Sequence, residues 1–271
     1  MRKVLRWLAL FCACCTAVGF CGCNDEKKPE DKKIDFYTTD TVSWETEESV
    51  GLRFAYSADG TYYTLRDIGT CTEDKVVIPA YVGDTPVKAI AYNAFAACEQ
   101  IKEVVIPDTV TSISFMAFTA CPNLERVKIG EGLETIENAT FYNCSKLSVV
   151  SLSSSLKKID AEAFKNCTSL ENLVIPESVE EIGLRAFGGC SALKNVLLPK
   201  SLQKIGDYAF EDCSNIKNVF YAATSEEFKR IKIGSGNEPL TRQSRYYYAE
   251  QAPETDGNFW YVKENQVTIW S

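Results

Sequence analysis

Ala163-Phe164-Lys165-Asn166-Cys167-Thr168-Ser169-Leu170-Glu171-Asn172-Leu173-Val174-Ile175-Pro176-Glu177-Ser178-Val179-Glu180-Glu181-Ile182 is the stretch on which the fold turns. Its cysteine has counterparts at a fixed step of 23 residues, at Cys98, Cys121, Cys144, Cys190 and Cys213. A fixed period of this size is the signature of a solenoid. Three residues before each cysteine stands a phenylalanine: Phe95, Phe118, Phe141, Phe164, Phe187 and Phe210. Three after stand Ile101, Leu124, Leu147, Leu170, Leu193 and Ile216. Six after come Val104, Val127, Val150, Leu173, Val196 and Val219, and eight after Ile106, Ile129, Leu152, Ile175, Leu198 and Tyr221. Later in the unit, Val110, Leu133, Leu156, Val179 and Leu202 lead to Ile113, Ile136, Ile159, Ile182 and Ile205.

Each column has a physical reading. The apolar residues six and eight places after the cysteine flank a polar one, the period of a short strand with one buried face. Pro107, Pro176 and Pro199 end that strand by removing a ladder donor. The second apolar pair, such as Val179 and Ile182, is spaced for a turn or short helical piece. The Ala-Phe pair then returns the chain to the interior. One unit of 23 residues cannot bury enough apolar surface to offset its ordering entropy, so the units must stack and cover one another.

The pattern Ala-Phe-x-x-Cys-x-x-Leu-x-x-Val-x-Ile-Pro-x-x-Val-x-x-Ile resembles the BspA-type leucine-rich repeat of bacterial surface proteins. The likeness is close over residues 87–221, with Gly130 and Ser153 in place of proline and Thr140 in place of alanine. It implies a leucine-rich-repeat solenoid: a right-handed coil with a parallel β-sheet, short turns or helical pieces on the other faces, and caps at both ends. It also implies display outside the cell and binding of a protein or matrix component, since members of the family are described as adhesins.

The flanks read as end units, because open solenoid ends must be closed. Residues 51–86 give an N-terminal hairpin cap, with a turn at Ser57-Ala58-Asp59-Gly60, and a first coil. A turn-rich insertion, Tyr81-Val82-Gly83-Asp84-Thr85-Pro86, lengthens the step from Cys71 to Cys98. Residues 222–271 form a C-terminal cap: a short helix started by Ser225, then strands at 245–248, 259–262 and 267–270.

Upstream, Arg2, Lys3 and Arg6 precede an uncharged apolar run from Trp7 to Phe20, the pattern of a signal peptide. Gly22-Cys23 at its end resembles the lipobox of bacterial lipoproteins, with Phe20 where that family usually has leucine. The resemblance makes residues 1–22 a signal peptide and Cys23 the lipidated N-terminus. Residues 23–50 are acidic and poor in apolar side chains, as expected of a solvated tether. The expected location is the extracellular side of a bacterial membrane, held by a lipid anchor.

Composition narrows the function classes. The chain has 271 residues, 29 basic and 37 acidic, a formal charge of −8 and no histidine. No basic excess is present to neutralise phosphates, which argues against a nucleic-acid partner. Histidine-based triads and most zinc sites are excluded. No nucleophile–base set or phosphate-cradling glycine loop is present, and no catalytic residue, metal or cofactor is expected. The cysteine column reads as a ladder of reduced, buried thiols donating to turn carbonyls, with disulfides between neighbours the alternative. Asn143-Cys144-Ser145 and Asn166-Cys167-Thr168 match a glycosylation pattern that the repeat itself explains.

The solvent side of the strand array is the default binding face of a solenoid. Between the two core columns it carries Val105, Lys128, Ser151, Val174, Leu197 and Phe220. Val174, Leu197 and Phe220 form an apolar stripe, rimmed by the amides Asn172, Asn195 and Asn218. That stripe is the expected partner site. The other readings are that the C-terminal cap folds over it, or that the domain is a spacer. The aromatic tail, with Tyr246, Tyr247, Tyr248, Phe259, Trp260, Tyr261 and Trp270, is expected to pack over the last rung, a glycan-binding surface being its alternative.

Overall fold

The structure is a computed structural model that describes residues 32–34, 47–251, 257–263 and 266–270. The expected signal peptide, residues 1–22, and the expected lipidation at Cys23 lie outside the described residues. No helix among the described residues is long and apolar enough to cross a membrane.

Residues 75–221 wind as a β-solenoid in which the 23-residue columns face one interior. On the front face, Lys75–Val77, Glu103–Val105, Arg126–Lys128 and Val149–Ser151 form one parallel sheet. Asn172–Val174, Asn195–Leu198 and Asn218–Tyr221 begin a second, also parallel and in register, Leu173 opposite Val196 and Val196 opposite Val219. That sheet continues into the C-terminal unit through Ser244–Tyr248, Phe259–Lys263 and Gln266–Ile269.

The second apolar pair corrects the expectation of turns or helical pieces. Ile136, Ile159, Ile182, Ile205 and Ile233 end two-residue strands that pair in parallel as a continuous five-stranded back array. Two residues suffice because each isoleucine is pinned by the stacked interior, and the backbone meets its neighbour in register without a longer strand. The array parts from Ser112–Ile113, which pairs with Thr85–Ile90, yet Ile113 and Ile136 both remain buried.

Stacking explains the conserved spacing of phenylalanine and cysteine along this chain. The rings Phe95 to Phe210 form one column, neighbours 4.8–5.4 Å apart by centroid and within 15° of parallel. From Cys121 onward, each thiol of the column donates to the carbonyl of the phenylalanine one winding back: Cys121 to Phe95 at 3.0 Å, Cys144 to Phe118 at 3.1 Å, and so on to Cys213 and Phe187 at 3.1 Å. The seven cysteines from Cys71 to Cys213 are free thiols. Cys98, the first in the column, is half-buried, whereas the later ones are fully covered. Two residues in each turn have left-handed φ, and most are not glycine, for example Glu162 (55°) and Asn166 (62°).

Both ends are closed. At the start, Arg53–Tyr56 and Tyr63–Asp67 pair antiparallel around a turn in which Asp59 accepts from the Ser57 and Thr61 hydroxyls and the Thr61 amide. These bonds hold its carboxyl below the usual range. Gly60 takes φ 67° at the turn. The insertion is a small hairpin, Tyr81–Val82 against Thr85–Ile90.

At the other end, the helix Ser225–Phe228 is capped by Thr224, one residue earlier than expected. Thr224 and Glu227 cap each other's backbone amides, and the Thr224 hydroxyl is what reaches the third helical N–H. Asn237 closes the last turn by imitating a further winding. Its Oδ1 accepts from Phe210 N–H at 3.1 Å, where earlier phenylalanines donate to the next coil's backbone, as Phe187 does to Ala209. Its Nδ2 donates to the Gly206 and Gly234 carbonyls at 2.9 Å.

The tether reading is corrected over Lys32–Ile34. This segment is an antiparallel strand on Val267–Ile269, at the C-terminal edge of the front sheet. Its pairing partner is remote in sequence, so local composition carries no sign of it.

Candidate functional site

The front face divides into zones along the solenoid. Near the N-terminal end, the column that later carries asparagines holds Glu103 and Arg126. Glu103 is buried and ion-paired with the Arg126 guanidinium. Burial of a lone carboxylate is costly, and this pairing offsets it. Val149 follows, and then the amides begin.

Asn172, Asn195 and Asn218 are brought together as a ladder. Asn195 Nδ2 donates to Asn172 Oδ1 at 2.7 Å, and Asn218 Nδ2 donates to Asn195 Oδ1 at 2.7 Å. The parallel register sets identical side chains one rung apart, about the spacing that an amide-to-amide bond needs. A second pair, Asn166 to Asn143 at 2.7 Å, forms the same way at the turn. Both asparagines of the glycosylation-like motifs are therefore engaged in the stack.

The apolar stripe is open at one end only. Val174 is 43% exposed and Leu197 is half-buried, but Phe220 is completely covered. The expectation of Phe220 as a partner-binding residue is thus corrected: the C-terminal unit occupies that place. Tyr246 stacks on Phe220 at 5.1 Å, and Trp260 meets it edge-on at 6.1 Å. Trp260 is buried and its indole N–H donates to the Tyr221 carbonyl at 2.9 Å. Val267 and Ile269 complete the cluster. The remaining tail aromatics are half-buried, with Tyr261 and Trp270 stacked at 4.1 Å.

The accessible candidate site is therefore Val174 and Leu197 beside the ladder from Asn172 to Asn218, edged by the ion pair Lys194–Glu171 at 2.8 Å. Its chemistry is that of recognition: apolar contact plus oriented amide donors and acceptors, on a backbone fixed by stacking. A cavity of about 650 Å³ lies between Lys204 and the C-terminal helix. Its charges are largely committed, Lys204 to Glu181 at 2.8 Å and Glu227 to the Thr224 cap. Among the described residues no cluster of three or more cysteines and carboxylates is placed to hold a metal ion.

With this geometry in view, comparison with known proteins identifies the repeats. Residues 88–217 match the family described as BspA type leucine rich repeat region, in six copies. Within the solenoid, residues 88–217 are thus similar to BspA-type leucine-rich repeats. Among solved structures, a leucine rich cell surface protein from Faecalibacterium prausnitzii is 23% identical, with 84% of this chain and 61% of that chain covered and a TM-score of 0.51. A T. pallidum leucine rich repeat protein is 23% identical over 74% of this chain and 86% of its own, with a TM-score of 0.47. The likeness to the Faecalibacterium prausnitzii protein concerns the fold alone. No curated protein matches the sequence.

Proposed function

We propose that the chain is a bacterial cell-surface lipoprotein, anchored through Cys23, whose repeat domain binds an extracellular protein or matrix component on its front face. The observation that supports it is Val174, an exposed valine in a strand whose neighbours are held in register by the asparagine ladder. An exposed apolar group on a preorganised surface gains contact area with little loss of conformational freedom on binding. The repeat family, with its bacterial surface members, agrees with this reading. It makes the protein a binding module and not an enzyme.

The test has two arms. Mature protein is tested for radiolabelled lipid in wild type and Cys23→Ser; label in wild type alone supports the anchor, and equal absence overturns it. The immobilised chain is tested for capture of purified matrix and cell-surface proteins, in wild type and in a Val174→Glu/Leu197→Glu variant. Capture that the variant loses, with unchanged thermal unfolding, supports the binding face. Capture that the variant keeps, or no capture at all, favours a spacer.

A further inference from the structure

The front sheet is split at one place. Val149–Ser151 pairs with Arg126–Lys128, and Asn172–Val174 pairs with Asn195–Leu197, but the two strands do not pair with each other. They lie farther apart than hydrogen-bonded neighbours do, although they are one repeat apart with no insertion between them. On either side the ladder follows one rule. Ile129 N–H donates to Ser151 O at 2.9 Å and Ile175 N–H to Leu197 O at 3.0 Å. Lys194 and Asn195 N–H both donate to Glu171 O, at 2.8 and 3.3 Å. The equivalent bonds across the split, Leu152 N–H to Val174 O and Asn172 N–H to Ser148 O, are absent.

A second observation shows that the split is an opening. Val150 and Leu152 belong to core columns whose other members are buried, yet both are only partly buried. At the parting of the back array, in contrast, Ile113 and Ile136 stay covered. The windings around the split remain tied at the back by Lys158–Ile159 against Glu181–Ile182, and at the turn by Phe141 N–H to Ala163 O at 2.8 Å and Phe164 N–H to Ala186 O at 2.7 Å. The opening is therefore a slot in the front wall of an otherwise closed stack.

From this geometry we propose that the slot binds an extended peptide segment of a partner protein as an additional β-strand, in parallel or antiparallel sense. In a parallel ladder, successive residues turn their N–H and C=O to alternate sides. One wall thus presents Ser148 C=O, both groups of Val150 and Leu152 N–H; the other presents both groups of Asn172 and of Val174. This alternation of positive and negative partial charge is the complement of an extended backbone. These groups have no ladder partner across the split, so an inserted strand gains hydrogen bonds on both walls at once. One set of its side chains meets Val150 and Leu152 and is apolar. The opposite set emerges beside exposed Val174 and the Asn172 amide.

The proposal rests on the front face being a protein-binding surface, and it specifies the form of the partner there. Its test begins with amide hydrogen exchange on the full chain. Leu152, Asn172 and Val174 should exchange about tenfold or more faster than Ile129, Ile175 and Asn195. Equal, slow exchange means that the slot is closed or already filled by the chain itself, and overturns the proposal. Linear nine-residue peptides are then selected on the full chain from a random display library. Enriched sequences should alternate apolar and polar residues, and a synthetic winner should slow exchange at Leu152, Asn172 and Val174.

Two substitutions complete the test. Methylating alternate backbone nitrogens of that winner should abolish binding. Val174→Pro removes a donor that faces the slot and makes no backbone bond across it among the described residues; it should weaken the peptide about fivefold to tenfold, while Val174→Ala retains the donor. No enriched peptide, protection elsewhere, or indifference to both backbone changes overturns the slot. A folded protein captured by wild type and by Val174→Pro, but lost in Val174→Glu/Leu197→Glu, would keep the binding module and reject the inserted strand.

Discussion

Phe164 and Phe187 lie ring upon ring, their centroids 5.3 Å apart and their planes within 1° of parallel. The rings lie parallel and offset because the parallel, in-register stacking sets each winding over the last, and identical residues then sit in equivalent places. A ring in the middle of such a column is covered by another on each face, with Phe141 below Phe164 at 5.2 Å.

Phe164→Ala should therefore destabilise the domain by about 3–5 kcal/mol, through lost burial and the cavity left behind. Equilibrium denaturant unfolding measures it. A loss below about 1 kcal/mol would show that the neighbouring windings collapse onto the gap.

The thiols should be protected and unreactive. A chromogenic thiol reagent added to native protein near neutral pH should modify Cys98 first and leave Cys121 to Cys213 untouched, and in denaturant all seven from Cys71 to Cys213 should react. Five or fewer reacting after unfolding would reveal disulfides, since each bond removes two thiols. The same burial links stability to pH. Cys121 is pushed far up by its contact with Cys144 and by burial, Cys167 by burial, and Cys190 by burial and its Cys213 neighbour. A folded pKa above the ordinary 9.0 means that their contribution is whole below about pH 9 and declines above it. Each contributes a slope of about 1.4 kcal/mol per pH unit there, measurable as a falling denaturation midpoint between pH 9 and 10.5.

Asn237 has no repeat partner, yet it is the residue that lets the column stop. Asn237→Ala removes the acceptor of Phe210 N–H and the donor to the Gly206, Gly234 and Ser235 carbonyls in a buried site. The expected cost is about 2–4 kcal/mol, most of it from groups left unsatisfied. Hydrogen exchange should show the loss first at Phe210, then spreading back along the windings. Asn237→Asp, which keeps the acceptor, should retain the Phe210 bond.

Trp260→Ala should uncover Phe220 and free the Tyr221 carbonyl. A loss of about 3–5 kcal/mol is expected for the cap, with limited proteolysis cutting within 244–270 before it reaches the repeats. Simultaneous melting of cap and repeats would show instead that the two unfold as one unit.

The repeat interior was legible in the sequence because each inward position recurs six times, so the column identifies itself. Cys167 and Phe164 are as recognisable at Cys121 and Phe118. The stripe was legible in part. Val174, Leu197 and Phe220 share a column, but only the structure brings Trp260 onto Phe220, since a contact across 40 residues leaves no periodic trace. The Thr224–Glu227 cap did carry a signal, threonine followed three residues later by glutamate, and the adjacent Ser225 obscured it. The back strands escaped because two residues are too few to show alternation. The split beside Val149–Ser151 has no spacing anomaly; a run of serines around Val150 and Leu152 is its one local mark.

The strand Lys32–Ile34 on Val267–Ile269 has a consequence for how the molecule stands. Lys32–Ile34 therefore lies at the same end of the stack as Gln266–Ile269, opposite the Arg53–Asp67 hairpin. On the proposal that Cys23 carries a lipid, the pole nearer the bilayer would be the one built by Lys32–Ile34 and the C-terminal strands, with the hairpin around Asp59 at the opposite pole and Val174 on the flank between them.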